Sequence, residues 1–367
     1  MLDRMSEYRR ERVQERLGQL RAHQTAETVR HILEFNRTPA ELKKELDRFV
    51  IGQEQGKKTI ATAIAFHYRR LSKALQNTLT RDRGDMESAL RRTRTPKANI
   101  LLIGPTGCGK TYSGESASRL VGVPFLVEDL TKFSEVGYVG QNTSDILADL
   151  LIAADGNPHI AQMGIVYLDE LDKLAAEPGT YKDVSGRGVQ KGLLRMAEGV
   201  ENTVEVGRER VTVSTRHVLF IAGGVFEKLE HVVTRRMARN HLKGEWRGFL
   251  LTDDLVELGM ERQLMGRFPV RVVYDPLSTH DLKKIMTASE DSPLKAYTHD
   301  LKAWGIDLVV TDEALEEVAR RAEEEGTGAR GLTGILHRIL LEDMFRLPGS
   351  FQGEFTVDLA TVRERLS

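Results

Sequence analysis

Only one cysteine, Cys108, occurs in the 367 residues of this chain. No intrachain disulfide can form, and a reducing compartment, the cytoplasm, is the expected location. No apolar run approaches the roughly 20 residues that a bilayer-spanning helix needs. The opening MLDRMSEYRRERVQERL is charged throughout and lacks the apolar stretch of a signal peptide. No membrane association is expected. An excess of one charge is also missing: 53 Lys and Arg stand against 54 Asp and Glu, a net charge of −1. Bulk attraction to nucleic acid or an anionic surface is therefore excluded. Aromatic residues make up 6% of the chain. None of them interleaves with Arg81, Arg83, Arg91, Arg92 and Arg94 in the polar stretch 77–97, which reads as a solvated loop rather than a nucleic-acid platform. Repeats of fixed period and low-complexity tracts are absent.

What is present is an ordinary globular composition, 40% hydrophobic and 29% charged, long enough for two or more domains. Residues 1–37 read as a charge-rich helical extension. Val13, Leu17 and Leu20 share one face, and Val29, Ile32 and Leu33 another. Thr38-Pro39-Ala40-Glu41 has the form of a capped helix start, and a second helix runs from about Gln53 to Gln76. Five short apolar runs follow: Asn99–Ile103, Pro124–Glu128, Ile165–Leu168, Val218–Ala222 and Val270–Tyr274. Helical stretches separate most of them, which predicts an α/β fold with a parallel sheet covered on both faces. A hairpin is predicted around Gly207–Arg210, between the third run and the fourth. Beyond Asp275-Pro276 the pattern turns mostly helical, over about 278–290, 312–325 and 331–346, with short strands at Asp307–Val310 and Glu354–Val357. Three parts are expected: an extension (1–37), a large domain (38–275) and a small α-rich domain (276–367).

The most specific signal is Gly104-Pro105-Thr106-Gly107-Cys108-Gly109-Lys110-Thr111, which fits G-x-x-x-x-G-K-[ST] between a strand and a helix. Its glycines let backbone N–H groups turn toward phosphate oxygens, and the helix N-terminus adds positive potential. Lys110 is expected on the β- and γ-phosphates of ATP, and the Thr111 hydroxyl on Mg²⁺. Ile165–Leu168 then delivers Asp169 and Glu170 at a strand's C-terminal end. Asp169 is expected to hold Mg²⁺, and Glu170 to orient and deprotonate the attacking water. Cys108 lies at a helix N-terminus, which could lower its thiol pKa. A small side chain filling a slot is the plainer reading.

Seven segments in order resemble the ClpX branch of the AAA+ protein unfoldases, within the Clp/Hsp100 family. They are Phe49–Gln55, the phosphate loop, Gly137–Gly140, Ile165–Lys173, Asp183–Gly186, Gly266–Pro269 and Gly328–Leu332. The resemblance covers roughly residues 38–350. It implies a homo-oligomer, a ring usually of six subunits, with ATP bound between neighbours. Val50 and Ile51 match the adenine-contacting segment, Arg267 the arginine finger that reaches a neighbour's γ-phosphate, and Arg330 the sensor-2 arginine. Tyr138 and Val139 match the first pore loop, and Lys182, Asp183 and Val184 the second. Protein substrates are the implied partners, threaded through the pore.

Three departures set this chain apart from that pattern. Its single cysteine cannot build the family's four-cysteine zinc-binding domain, and residues 1–37 stand in that place. Val233–Leu255 holds Trp246-Arg247-Gly248-Phe249 but no Ile/Leu-Gly-Phe tripeptide of the kind that docks on the ClpP peptidase. The family's Arg-Lys-His substrate loop is reduced to the turn at Gly207–Arg210. The leading expectation is thus an ATP-driven unfoldase or remodeller that acts without ClpP. The alternatives are an ATPase subunit of a ClpP-type protease, with Gly248-Phe249 as a degenerate dock, and an ATP-gated scaffold or nucleoprotein-assembly factor.

Overall fold

A computed structural model describes residues 26–82, 85–94, 96–133, 143–175, 184–206 and 209–367. Its centre is a five-stranded sheet in which every neighbouring pair is parallel. The strands are β1 (Ile100–Ile103), β2 (Phe125–Asp129), β3 (Ile165–Asp169), β6 (Leu219–Gly224) and β7 (Val270–Val273), in the order β2-β3-β6-β1-β7. β4 (Glu201–Val206) and β5 (Glu209–Ser214) form the antiparallel hairpin that the alternation predicts.

The inner apolar runs are continuous because both faces of β1, β3 and β6 are buried. Leu101, Ile103, Val166, Leu168, Phe220 and Ala222 enter one core cluster. Their sequence neighbours Ile100, Leu102, Ile165, Tyr167, Leu219 and Ile221 enter the other. This is the two-residue period of a strand, with apolar chains on both sides. Ile32 and Phe35 belong to the second cluster as well, so the end of the extension packs on the same core as Ile60 and Tyr68.

The helix Pro39–Leu46 opens with the expected capping box: Thr38 Oγ1 accepts from Glu41 N at 3.3 Å, and Glu41 Oε2 accepts from Thr38 N at 2.7 Å. The stretch 77–97 is not the solvated loop that its charge suggests. The preceding helix continues to Asp82, and a further helix, Met86–Arg92, starts on Asp85, whose carboxylate accepts from Ser88 N at 2.8 Å. Met, Glu, Ala, Leu and Arg, which make up six of the seven residues of the second helix, are good helix formers, and buried Ala89 and Leu90 give it its anchor.

Residues beyond 276 build a separate core around Leu282, Ile306, Val318 and Leu336. There β8 (Ile306–Val310) and β9 (Gly353–Val357) pair in parallel. Helices Pro293–Lys302 and Leu359–Arg365 join the three expected from sequence. No helix among the described residues is long and apolar enough to cross a membrane.

Candidate nucleotide site

The phosphate loop leaves the C-terminal end of β1 and runs into the helix Lys110–Val121. Lys110 Nζ donates to the carbonyls of Gly104 and Pro105, at 2.7 Å each, which draws the loop around its ammonium. Gly107 has φ +75°, and a Cβ there would lie 2.2 Å from the Thr327 carbonyl oxygen. Only glycine permits both the backbone conformation and this approach of the small domain. One residue on from Gly328, Ala329 N donates to the Gly107 carbonyl at 3.1 Å. The helix Ala329–Arg346, which carries Arg330 in its first turn, therefore starts against the phosphate loop.

Across the cleft, β3 ends at Asp169 and Glu170 adopts a left-handed conformation, φ 58° and ψ 37°. For a non-glycine residue this costs on the order of 1–3 kcal/mol and persists only where the surroundings impose it. They do so here. Asp169 Oδ1 accepts from Glu170 N at 3.0 Å, Leu171 is fully buried, and Asp172 accepts from Val225 N at 3.1 Å and Phe226 N at 3.3 Å beyond β6. The Glu170 carboxylate is left exposed at the strand end.

These residues share one cleft of about 630 Å³. Thr106 to Thr111, Asp169, Glu170 and Arg330 line it, together with Val50 and Ile51. Phe49 on the large domain and Leu277, Ile285 and Pro293 on the small one add an apolar end. Gly104 and Pro105 reach it through their carbonyl contacts with Lys110. Cys108 is buried, and burial pushes its thiol pKa up, against the pull of Lys110. The lowering that a helix N-terminus could bring is outweighed by desolvation.

Arg267 lies elsewhere. It caps the helix Arg262–Gly266 just before β7, and its carbonyl accepts from Asn99 Nδ2 at 2.9 Å. Asn99 immediately precedes β1, whereas Gly104 immediately follows it. Arg267 and the phosphate loop thus occupy opposite ends of one parallel sheet, and Arg267 is not among the residues lining the cleft.

Residues 95–271 match the family model described as the AAA domain (Cdc48 subfamily), and residues 277–361 that of the C-terminal, D2-small domain of ClpB protein. The ATP-dependent Clp protease ATP-binding subunit ClpX 3 of Methylococcus capsulatus is 38% identical over 352 residues, spanning 88% of this chain and 80% of the relative. The corresponding ClpX subunit of Azotobacter vinelandii is 39% identical over 339 residues (86% of this chain, 76% of the relative). That of Borrelia duttonii is 36% identical over 341 residues, with the same two shares, 86% and 76%.

The chain belongs to the ClpX family of AAA+ ATPases.

As a ClpX-type AAA+ chain it is an ATPase that works on ATP with Mg²⁺. The donor set fits that ion. Thr111 Oγ1 lies 3.3 Å from Asp169 Oδ2, so a hydroxyl and a carboxylate, both hard oxygens, meet at the cleft wall. Mg²⁺ favours such oxygens and keeps several waters or phosphate oxygens as its other ligands. When bound it would neutralise charge on the phosphates. The protein itself sets Lys110 inside the loop and Glu170 on a fixed backbone at the strand end, both on the wall of one cleft.

Sequence reasoning assigns no role to several residues that bind the site together. Gln53 Nε2 donates to the carbonyls of Cys108 (3.3 Å) and Asp275 (2.7 Å), and Gln53 Oε1 accepts from Asp275 N at 3.0 Å. One amide thereby ties the segment Phe49–Gln55 to the phosphate loop and to the last residue before the small domain. Asp291 Oδ2 accepts from Tyr112 Oη at 2.9 Å and Arg119 Nη1 at 2.8 Å, joining the small domain to the helix behind the loop. Ser289 Oγ adds a bond to the Phe49 carbonyl at 2.8 Å. Local spacing carries no trace of these pairings.

Tyr138, Val139, Lys182 and Asp183 lie outside the described residues, as do Gly207 and Arg208 of the hairpin turn and residues 1–25. Val184 opens the helix Val184–Glu198. Trp246–Phe249 forms a short 3₁₀ turn in which Trp246 and Phe249 pack on the large-domain core. Arg236 donates to the Phe249 carbonyl.

Proposed function

We propose that this chain is a subunit of a hexameric ring that hydrolyses ATP between neighbours and uses the work to unfold protein substrates, without ClpP. The observation that carries the shared site is the separation of Arg267 from the phosphate loop across the length of the sheet. A guanidinium at the far end cannot reach the γ-phosphate of its own chain, yet it suits the nucleotide of a neighbour docked head to tail. Such contacts close into rings, and a trans arginine makes turnover depend on assembly.

In this reading Lys110 and Glu170 act in the chain that binds ATP, and Arg267 acts from the next one. Gly104 to Thr111, Val50 and Ile51 bind the nucleotide, and Thr111 and Asp169 hold Mg²⁺. Arg330 reads the γ-phosphate from the small domain. The working division is 1–37, 38–275 and 276–367, with the last part moving as a lid. Tyr138 and Val139, with Lys182, Asp183 and Val184, grip the threaded chain, and the ring acts in the cytoplasm.

Independence from ClpP rests on Phe249. Its ring packs on the core and its carbonyl is held by Arg236, so Gly248-Phe249 is not presented as a docking tip. The names of the relatives favour the second reading, an ATPase subunit of a Clp-type protease. Mixing the protein with ClpP, ATP and an unfoldable tagged substrate separates the two. Unfolding without degradation is expected, and ATP-dependent degradation would overturn ClpP independence. Tyr138→Ala should abolish unfolding while ATPase activity persists. Unfolding that survives this change would instead point to an ATP-gated scaffold.

A further inference from the structure

The stem of Arg267 is fixed, but among the described residues its head is held by one contact. The backbone N donates to Leu264 O at 2.9 Å, the carbonyl is bonded to buried Asn99, and Asn99 Oδ1 accepts from Phe220 N at 3.2 Å on β6. The next residue, Phe268, is wholly buried. The guanidinium, by contrast, is half exposed, and its Nη2 donates to Glu198 Oε1 at 2.6 Å. Glu198 is the last residue of the helix Val184–Glu198. Helix C-termini favour cations, so a carboxylate there is an electrostatic misfit unless a cation answers it. Arg267 supplies that cation.

We propose that Glu198 is a holding residue for the arginine that acts in trans. It keeps the Arg267 guanidinium extended and neutralised until a neighbour's ATP offers a phosphate, and the two anions then compete for the same donors. The inference rests on the reading that Arg267 works on an adjacent subunit. An exposed single-contact pair is weak, whereas guanidinium–phosphate contacts are bidentate and charge-assisted. The exchange is therefore downhill. It would also release the C-terminal end of the helix whose first residue, Val184, belongs to the expected second pore loop.

The test is steady-state ATPase kinetics of assembled Glu198→Gln beside the parent and Arg267→Ala. Glutamine keeps the shape and removes the competing charge at an exposed site, and a melting curve checks that the fold is retained. Competition predicts that KM for ATP falls about two- to fivefold, the range of an exposed ion pair, with kcat within about twofold. The gap should shrink at high salt, which screens the pair in the parent. An unchanged or raised KM, or a lower kcat, overturns the holding role. Arg267→Ala separates the two ideas. If it turns over like the parent, the trans reading itself fails. If it is dead while Glu198→Gln matches the parent, only the holding role fails.

Discussion

The two ends of the central sheet are built to different standards of completeness. At the C-terminal end of β1 the phosphate loop is closed around Lys110, Glu170 is pinned in a strained conformation, and the small domain seals the cleft through Ala329 and Asp291. At the N-terminal end Arg267 has an anchored backbone and an exposed head. A complete enclosure facing a half-finished one is what a shared catalytic site requires of each chain. In the proposed ring one end would receive a nucleotide, and the other would be offered to a nucleotide held by a neighbour. Asn99 and Gly104 flank the same four-residue strand, so the two ends stand one strand length apart.

The largest expected effect comes from the unfinished end. Arg267→Ala should lower kcat by about 10³-fold or more, the range found for arginines supplied in trans, with ATP binding retained by equilibrium titration. Glu170→Gln, at the finished end, should lower kcat by about 10²–10⁴-fold as a lost general base and hold ATP unhydrolysed. The comparison becomes sharpest when the two inactive proteins are mixed. Some interfaces then join the intact phosphate-loop end of an Arg267→Ala subunit to the intact Arg267 of a Glu170→Gln subunit, and turnover should reappear. Mixed assemblies that stay inactive would break the half-site picture.

A middle-sized effect is expected from Gln53→Ala, confined to the finished end. The change removes hydrogen bonds to Cys108 and Asp275. At about 0.5–1.5 kcal/mol net per bond, KM for ATP should rise roughly three- to tenfold, with complementation by Glu170→Gln subunits preserved. A fall in kcat at unchanged KM would mean that Gln53 serves the chemistry rather than the shape of the cleft.

How much of this was legible in the sequence follows from what is local. The three inner strands β1, β3 and β6 are continuous apolar runs because both their faces are buried, and each of the five runs is found where its pattern predicts. The phosphate loop is local too, since its glycines, Lys110 and Thr111 fall within eight consecutive positions. The interdomain seal is not. Tyr112 meets Asp291 across 179 residues, and Arg267 meets Glu198 across 69, distances at which no periodicity operates. The left-handed Glu170 sits beside a turn that Val225 and Phe226 pin through Asp172, and it has no signature of its own. Residues 77–97 misled because their composition suits an exposed helix as well as it suits a loop.

The smallest effect is expected where neither half-site is touched, and it serves as the control for the comparison. Glu128 lies on the same side of β2 as Leu126, buried beneath the helix Asp145–Ala153. Burial, then the negative charge of Asp149, pushes its pKa up to about 7 from an ordinary value of 4.5. A carboxyl whose folded value exceeds its unfolded value binds its proton more tightly in the fold. Stability is then greatest below pH 4.5 for this group and is lost as pH rises through about 7. Glu128→Gln removes that dependence while keeping the shape. Its Tm should match the parent near pH 5 and exceed it by a few degrees at pH 8, at about 2–4 °C per kcal/mol for a cooperative unit the size of residues 38–275. ATP turnover at pH 7.5 should be unchanged. A variant that melts alike at both pH values would refute the buried proton, and one that alters turnover would tie the edge strand to the finished end of the sheet.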